Sequence, residues 1–587
     1  MRSFRVFIFA AVTCAVANIT MAELLDFILL HTNDMHSHFD EMDAYCNECR
    51  EEEVKNNKCY GGFARVAYTV KREKEKAAAN GMESLFLVAG DTYQGTPYFS
   101  FFKWKPVVDF INQLKPDVTT LGNHEFDAGI ANLLPYLNHT ISIPMVVSNL
   151  DLTKEPELKK YIQKSIIKTI NGTKVGFVGY LTPDTKFLSQ PDVVEFIDEI
   201  EALKRETKLL LKQGTKIIIA LGHSGIEKDI EVAKQVGDID VIVGGHSHTF
   251  LYSGKQPDID KPRGPYPTRV NSTNGKMIPV LQAYAHTKYV GKVHLKFDSN
   301  GNLLHIDGSP ILMDHTIPKD DEMEKIMNIW RPQIIEKTAV RIGRTEVELI
   351  NTCISTECNI GNLIADAYVY NNVLSTNQSG KYWSDAPIGL LQAGGVRSSI
   401  NETGHNGYIS MGQLITVLPF MNKLVKLTIP GKNVLEAFES SVYYYKENQG
   451  TDRFLQVSGA IVKYDLSRPP GNRVVSLLLR CKECRVPKYE PVKHDANYTL
   501  LMCDYLAMGG DNFTSFTHNV MTYERTDIVD YNAVAVYMNT TSPLIIGIEN
   551  RISFSNNNDT NKSSAHNNYT IVIKLLILSI IIVLANQ

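Results

Sequence analysis

The sequence carries little net charge. Sixty Lys and Arg stand against 64 Asp and Glu, a formal −4 over 587 residues. A protein that coats nucleic acid needs a basic excess, so this balance argues against that class. Cysteine is sparse, with nine residues, one of them Cys14 near the start. A chain of this length buries enough apolar surface to fold without a disulfide framework. There is no internal repeat and no heptad array, which excludes solenoids and long coiled coils. What is present is a globular composition, 44% hydrophobic and 21% charged, which excludes wholesale disorder. At roughly 100–200 residues per domain, the length calls for two large domains.

The long apolar runs stand at the two ends. Residues 1–17 carry Arg2 and Arg5 and then FIFAAVTCAVA, ending in the small residues Ala15 and Ala17. This predicts a secretory signal peptide cleaved near residue 17 or 22. Residues 555–568 are polar and rich in Asn and Ser, and IVIKLLILSIIIVLAN follows. A polar spacer before a terminal apolar tail predicts a glycolipid (GPI)-anchor signal, with Ser555, Asn557 or Ser563 as attachment residue. A true tail anchor is the rival, and Lys574 inside the tail departs from a clean signal. Both ends imply an extracellular, surface-held glycoprotein, or else a freely secreted one. N-x-S/T sequons in the body of the chain agree, at Asn138, Asn171, Asn271, Asn377, Asn401, Asn497, Asn512 and Asn539. In an oxidising compartment the close spacings predict disulfides Cys353–Cys358, Cys481–Cys484, and Cys59 with Cys46 or Cys49. Two cysteines, one of them Cys503, stay unassigned.

Short apolar, β-branched runs recur at 24–30, 85–89, 118–121, 144–148, 174–180, 216–221 and 241–244. Helix-like amphipathic stretches such as 198–213 separate several of them. Strands alternating with helices predict an α/β layered domain. The runs 278–284 and 290–297 lack intervening helices and read as antiparallel strands. A charged helical stretch then follows a proline, and a second, α+β unit begins near 342. The predicted order is signal peptide 1–22, catalytic domain 23–315, connecting helix or hinge 316–340, second domain 341–552, and spacer with tail 553–587.

The chemistry sits just past the strands. HTNDMH follows the first, GD the second, GNHEFD the third, GH the run at 216–221, and GGHSH the run at 241–244. Each strand thus delivers Asp, Asn or His to its carboxyl end, the edge at which α/β sheets bind ligands. Mixed oxygen and imidazole donors suit borderline divalent cations such as zinc, manganese, iron or cobalt. Two cations sharing Asp91 would clamp the entering and leaving oxygens of a displacement at phosphorus.

HTNDMHSHF, VAGDTYQGTPYF, LGNHEFDAG, LGHSG and GGHSHTF together resemble the calcineurin-like metallophosphoesterase signature. The finer resemblance, over about residues 24–552, is to the 5′-nucleotidase family. It implies an N-terminal four-layer α/β-β/α sandwich and a C-terminal α+β nucleotide-binding domain. It implies two divalent metals, zinc before manganese, cobalt or calcium. Asp34, His36 and Asp91 would hold one, and Asp91, Asn123, His223 and His246 the other. His248 would contact the first metal or its phosphate. His124 and Asp127 would form a dyad beside the phosphoryl oxygen or the leaving group, and a metal-activated water would attack.

In the second half, LLQAGGVRSSI, TVLPFMNKL and DYLAMGGDNF resemble the family's nucleotide pocket. There Gln392 would make amide contacts and Arg397 would reach phosphate. Phe420 and Tyr505 would sandwich the base, and Asp511 would accept from the ribose hydroxyls. Gln392 stands where the family commonly has Asn. Ile354 stands where vertebrate ecto-enzymes carry a further phosphate-facing Arg. Two activities follow: 5′-nucleotidase, taking AMP to adenosine, or apyrase, taking ATP and ADP to AMP. A nucleotide-sequestering protein without catalysis would have lost a ligand or His124, and none is lost. Another phosphoester, such as a cyclic phosphodiester or UDP-sugar, is a further alternative. By analogy alone, the second domain rotates about the connector and pairs two chains into a homodimer.

Overall fold

The computed structural model describes residues 25–375, 383–401, 406–446 and 450–555. The predicted signal peptide, the apolar tail, Asn557, Ser563 and the sequon at Asn377 lie outside these. Among the described residues no helix is long and apolar enough to cross a membrane.

The N-terminal half stacks two sheets. The first, eight-stranded, contains Leu25–Thr32, Glu83–Ala89, Val118–Thr120 and Met145–Val146 in parallel order, with Tyr289–Phe297 antiparallel on the far side of Leu25–Thr32. Period-two alternation explains why both faces are covered. Leu25, Phe27, Leu29, Leu85 and Leu87 point into a core shared with the second sheet. Ile28, Leu30, Phe86 and Val88 point the other way, among residues of the helices Phe63–Ala79 and Trp104–Leu114. The second sheet has six strands, with Thr173–Leu181, Ile217–His223 and Val241–Val243 parallel at its centre. The helices Glu199–Lys212 and Ile226–Gln235 cover its outer face. The first is started by Asp198, whose side chain accepts from the Glu201 amide. The result is the four-layer sandwich.

One strand differs from its reading. Met277–Leu281 pairs parallel to Val241–Val243 and antiparallel to Thr268–Asn271. A parallel partner requires a long crossover, and here a loop supplies it without a helix. The turn through Asn274 and Gly275 then makes the hairpin.

The connector forms the helix Asp321–Thr338, capped by Asp320. It buries Met323, Met327 and Ile334 in the same core as the helices Phe63–Ala79 and Trp104–Leu114. The C-terminal half has a five-stranded mixed sheet, ordered Leu455–Ser458, Ile388–Gln392, Asn497–Cys503, Lys423–Pro430 and Thr522–Val529, and a four-stranded sheet. Both share one core with the helices Asn359–Ser375 and Asp530–Thr541.

Disulfides join Cys49–Cys59, Cys353–Cys358 and Cys481–Cys484, and Cys46 and Cys503 are free and buried. The sequon residues Asn138, Asn171, Asn271, Asn497, Asn512 and Asn539 are exposed, and Asn401 is half-buried.

Candidate active site

The strand-end residues converge on one spot. Asp34, His36, Asp91, His246 and His248 all have left-handed backbones, with φ of 50°, 48°, 50°, 77° and 48°. Such conformations cost roughly 1–3 kcal/mol each and gather where function requires them. Two glycines let the turns close. A Cβ on Gly122 would lie 2.1 Å from Asp91 Oδ1, and one on Gly245 would lie 2.6 Å from the Ala89 carbonyl.

Two groups of donors share Asp91. One contains His36, Asp91 and His124, the other Asp91, His223 and His246. Asp34 Oδ1 is 4.0 Å from His36 Nε2, 3.8 Å from His223 Nε2 and 3.7 Å from His248 Nε2. Asn123 Oδ1 is 2.9 Å from His246 Nδ1. The outer nitrogens are tied back: His223 Nδ1 to the Ala89 carbonyl at 2.7 Å and His36 Nδ1 to the Gln94 carbonyl at 3.1 Å. Such partners fix the tautomer of a metal-ligating imidazole.

These residues fit divalent cations. His36 Nε2 and His248 Nε2 face each other at 2.9 Å. His223 Nε2 lies 2.9 Å from Asp91 Oδ2 but is not aligned as a hydrogen bond. Both arrangements suit lone pairs aimed at a shared ion. Burial, the largest influence, holds His36 and His248 well below the ordinary histidine value and His246 at about 3, so their rings are neutral. Burial pushes Asp34 up to about 7, and nearby Asp91 adds to this. Against the lowering effect of burial, Asp91 and Asp34 push His223 up to about 10, so positive charge is favoured at this junction.

His124 Nδ1 is 2.7 Å from Asp127 Oδ2. Asp127 is itself placed by Gln94 Nε2 at 3.0 Å and Ser189 Oγ at 2.7 Å. Burial opposes a charged imidazole here, but Asp127 and then Asp91 outweigh it and raise the His124 pKa.

Some contributors carry no signal in the residue reading. Buried Glu125 accepts from the amides of Gly122, Asp91, Thr92 and Tyr93 at 2.5–3.0 Å, joining two ligand loops. It sits in GNHEFD, yet its role depends on main chain more than thirty residues away. Asn33 bonds Asp34 Oδ2, the Tyr284 carbonyl and the Ala283 amide.

The C-terminal half closes over this face. One cleft of about 350 Å³ is lined by Asp91, Asn123, His124, Asp127, His246 and His248 from one side and by Gln392, Arg397, Phe420, Tyr505 and Asp511 from the other. Ile354 also lines it. Phe420 lies 5.8 Å from the His124 ring, and the Arg397 guanidinium 5.9 Å from the Phe420 ring. The Tyr505 hydroxyl is 2.9 Å from the Phe187 carbonyl of the N-terminal half and 2.8 Å from Asp511 Oδ1. Asp34, His36 and His223 lie beneath the cleft rather than on its wall. A larger cavity, about 410 Å³, is lined by none of the clustered ligands, and its charges pair with one another, as Arg331–Asp40 and Arg65–Glu41 do.

Comparison with known proteins places these features. Residues 27–250 match the calcineurin-like phosphoesterase family, and residues 341–518 match the 5′-nucleotidase C-terminal domain. Protein 5NUC of Lutzomyia longipalpis is 40% identical, covering 90% of this chain and 92% of its own. The apyrase of Tabanus yao is 38% identical (89% and 93% covered), and the 5′-nucleotidase of Homo sapiens 38% (90% and 90%). The crystal structure of a 5′-nucleotidase precursor from Thermus thermophilus superposes with a TM-score of 0.80 at 32% identity, covering 90% of this chain and 99% of that one.

Proposed function

We propose an activity from a premise that the matches establish: the chain belongs to the 5′-nucleotidase family of metallophosphoesterases. It is a metal-dependent nucleotide phosphohydrolase, and its reaction is AMP to adenosine and phosphate. The observation that carries this reading is the shared cleft. Cation-type donors line one wall, an aromatic and acidic pocket lines the other, and the volume is that of a small-ligand site.

Asp34, His36, Asp91 and His248 would hold one divalent cation, and Asp91, Asn123, His223 and His246 the second, with zinc the preferred occupant. Such a pair, when bound, lowers the pKa of a water and neutralises charge on phosphoryl oxygens. Asp127 fixes the His124 ring through Nδ1 and favours its proton. Nε2 remains to offer that proton where negative charge grows on the leaving oxygen. Arg397 orients the phosphate, and guanidinium geometry suits paired oxygens. Phe420 and Tyr505 stack on the base, Gln392 contacts it, and Asp511 accepts from ribose. The C-terminal half, 341–552, supplies recognition, the N-terminal half, 23–315, supplies chemistry, and the connecting helix is the hinge between them.

Apyrase activity is the second reading. Ile354 places an apolar residue on the cleft wall where a cationic one would grip phosphate. Phosphate release from the purified protein on AMP, ADP and ATP separately, with zinc, manganese or calcium added in turn, decides. Release from AMP alone supports the first reading. Release from ATP and ADP that stops at AMP supports the second.

The protein is further read as secreted, glycosylated and held on the cell surface by a glycolipid. Release of activity from intact cells by a phosphatidylinositol-specific phospholipase would support the anchor. Retention on the cells would favour a tail anchor.

A further inference from the structure

A further imidazole stands beside the first donor group, outside every role given above. A ring nitrogen of His286 lies within 4.8 Å of ring nitrogens of both His36 and His248. Its ring centroid is 5.6 Å from that of His36, 5.3 Å from that of His248 and 4.3 Å from that of His38. His286 Nδ1 is buried without a hydrogen-bond partner. Buried polar atoms are nearly always partnered, so an orphaned lone pair among two ligand-type imidazoles calls for an explanation. A neutral imidazole in this place has a lone pair to give to a cation.

The main chain is bent to bring it there. Tyr284, His286 and Thr287 have φ of 63°, 56° and 62°. For a β-branched residue such as Thr287 this is a costly conformation. The turn is bolted in place, because the His286 amide donates to the Asp34 carbonyl at 2.8 Å and Thr287 Oγ1 accepts from the Gly62 amide at 2.8 Å. His286 is thus tied to the loop that carries Asp34 and His36.

We propose that His286 is a further ligand of the cation that His36 and His248 share. An added imidazole would bias that position toward cations that favour nitrogen, such as zinc and cobalt, over calcium or magnesium. This inference rests on the two-cation reading of the site.

The test is metal binding, independent of turnover. Chelator-stripped full-length protein is titrated with zinc against a chromophoric chelator, bound metal is counted by elemental analysis, and the visible spectrum of the cobalt-loaded form is recorded. His286→Phe, which keeps a ring in the space, should bind one of two zinc ions about tenfold or more weakly, the scale on which even outer partners act. It should also alter the cobalt bands. Thr287→Ser, which keeps the hydroxyl that accepts from the Gly62 amide and leaves the imidazole, should change neither. His286→Asn must show the same loss if the Phe variant does not fold. Wild-type affinity and spectrum in a folded His286 variant would overturn the proposal. Asp91→Asn measured alongside separates the two readings. If it loses tight zinc binding while His286→Phe does not, only His286 is rejected. If it too keeps both ions, the two-cation reading itself fails.

Discussion

The two walls of the cleft hold their polar groups in opposite ways. On the N-terminal wall, five donors sit on left-handed backbone, the outer nitrogens of His36 and His223 are tied to main chain, and the inner nitrogens of His36 and His248 face each other. On the C-terminal wall, Tyr505 and Asp511 have already found partners. Tyr505 and Asp511 bond each other, the Asp511 amide meets the same hydroxyl at 3.0 Å, and that hydroxyl reaches across to the Phe187 carbonyl. The first wall is built in advance for a cation. The second must exchange its own hydrogen bonds for those of a ligand. Preorganisation of this kind belongs with chemistry, and exchange with recognition. Substitutions on the first wall should therefore lower kcat, and those on the second should move KM.

The sharpest break is Asp91→Ala. It removes the one carboxylate common to both donor groups, and phosphate release should fall on the order of 10³-fold or more. Retained activity in a metal-dependent assay would show that the groups do not act as a pair. Glu125→Gln tests the same wall from behind. Glu125 Oε1 takes the amides of Thr92 and Tyr93, and Oε2 takes those of Asp91 and Gly122. Whichever oxygen becomes an amino group, two buried N–H groups then face a donor. A loss of about 1–3 kcal/mol per orphaned group is expected, read by denaturant unfolding, together with weaker metal binding. Unchanged stability would mean that the loops hold their shape without this carboxylate.

What could be read from the residues alone follows this division. Asp34, His36, Asp91, Asn123, His223, His246 and His248 lie within a few residues of a strand end, so each was visible locally. Glu125 stood in a recognised motif, but its partners come from another loop. His286 stands in AHTKY, which carries no pattern, and only the turn at 284–287 brings it to His36. The Tyr505 hydroxyl meets a carbonyl 318 residues away, a contact no spacing rule reaches. The parallel pairing of Met277–Leu281 was hidden because its crossover is a loop, and the usual signal for such a crossover is a helix.

On the recognition wall smaller, separable effects are expected. Tyr505→Ala removes the ring proposed to stack on the base, a contact worth about 1–3 kcal/mol, and should raise KM with little change in kcat. Tyr505→Phe keeps the ring and frees Asp511 from its internal bond, so KM should stay within a few-fold of wild type. If both variants behave alike, the hydroxyl rather than the ring is what matters, and the stacking role fails. The mildest prediction concerns pH. Burial pushes Asp511 up to about 7, Asp452 adds to this, and the Tyr505 hydrogen bond, Arg453 and Arg397 oppose it. Below that pH the carboxyl is protonated and is a poorer acceptor for ribose hydroxyls, and above it the carboxylate is fully available. Since kcat/KM reports the free enzyme, it should rise as pH increases through about 7, by up to about tenfold per unit on the acid side. The phosphate of AMP titrates nearby, at about 6, so the acid limb alone does not identify the group. Asp511→Asn does, because an amide does not ionise there. The variant should lose the part of the limb centred near 7 while keeping the metal dependence of the N-terminal wall. A profile identical to wild type would take Asp511 out of ribose recognition and leave the contrast between the walls resting on Tyr505 alone.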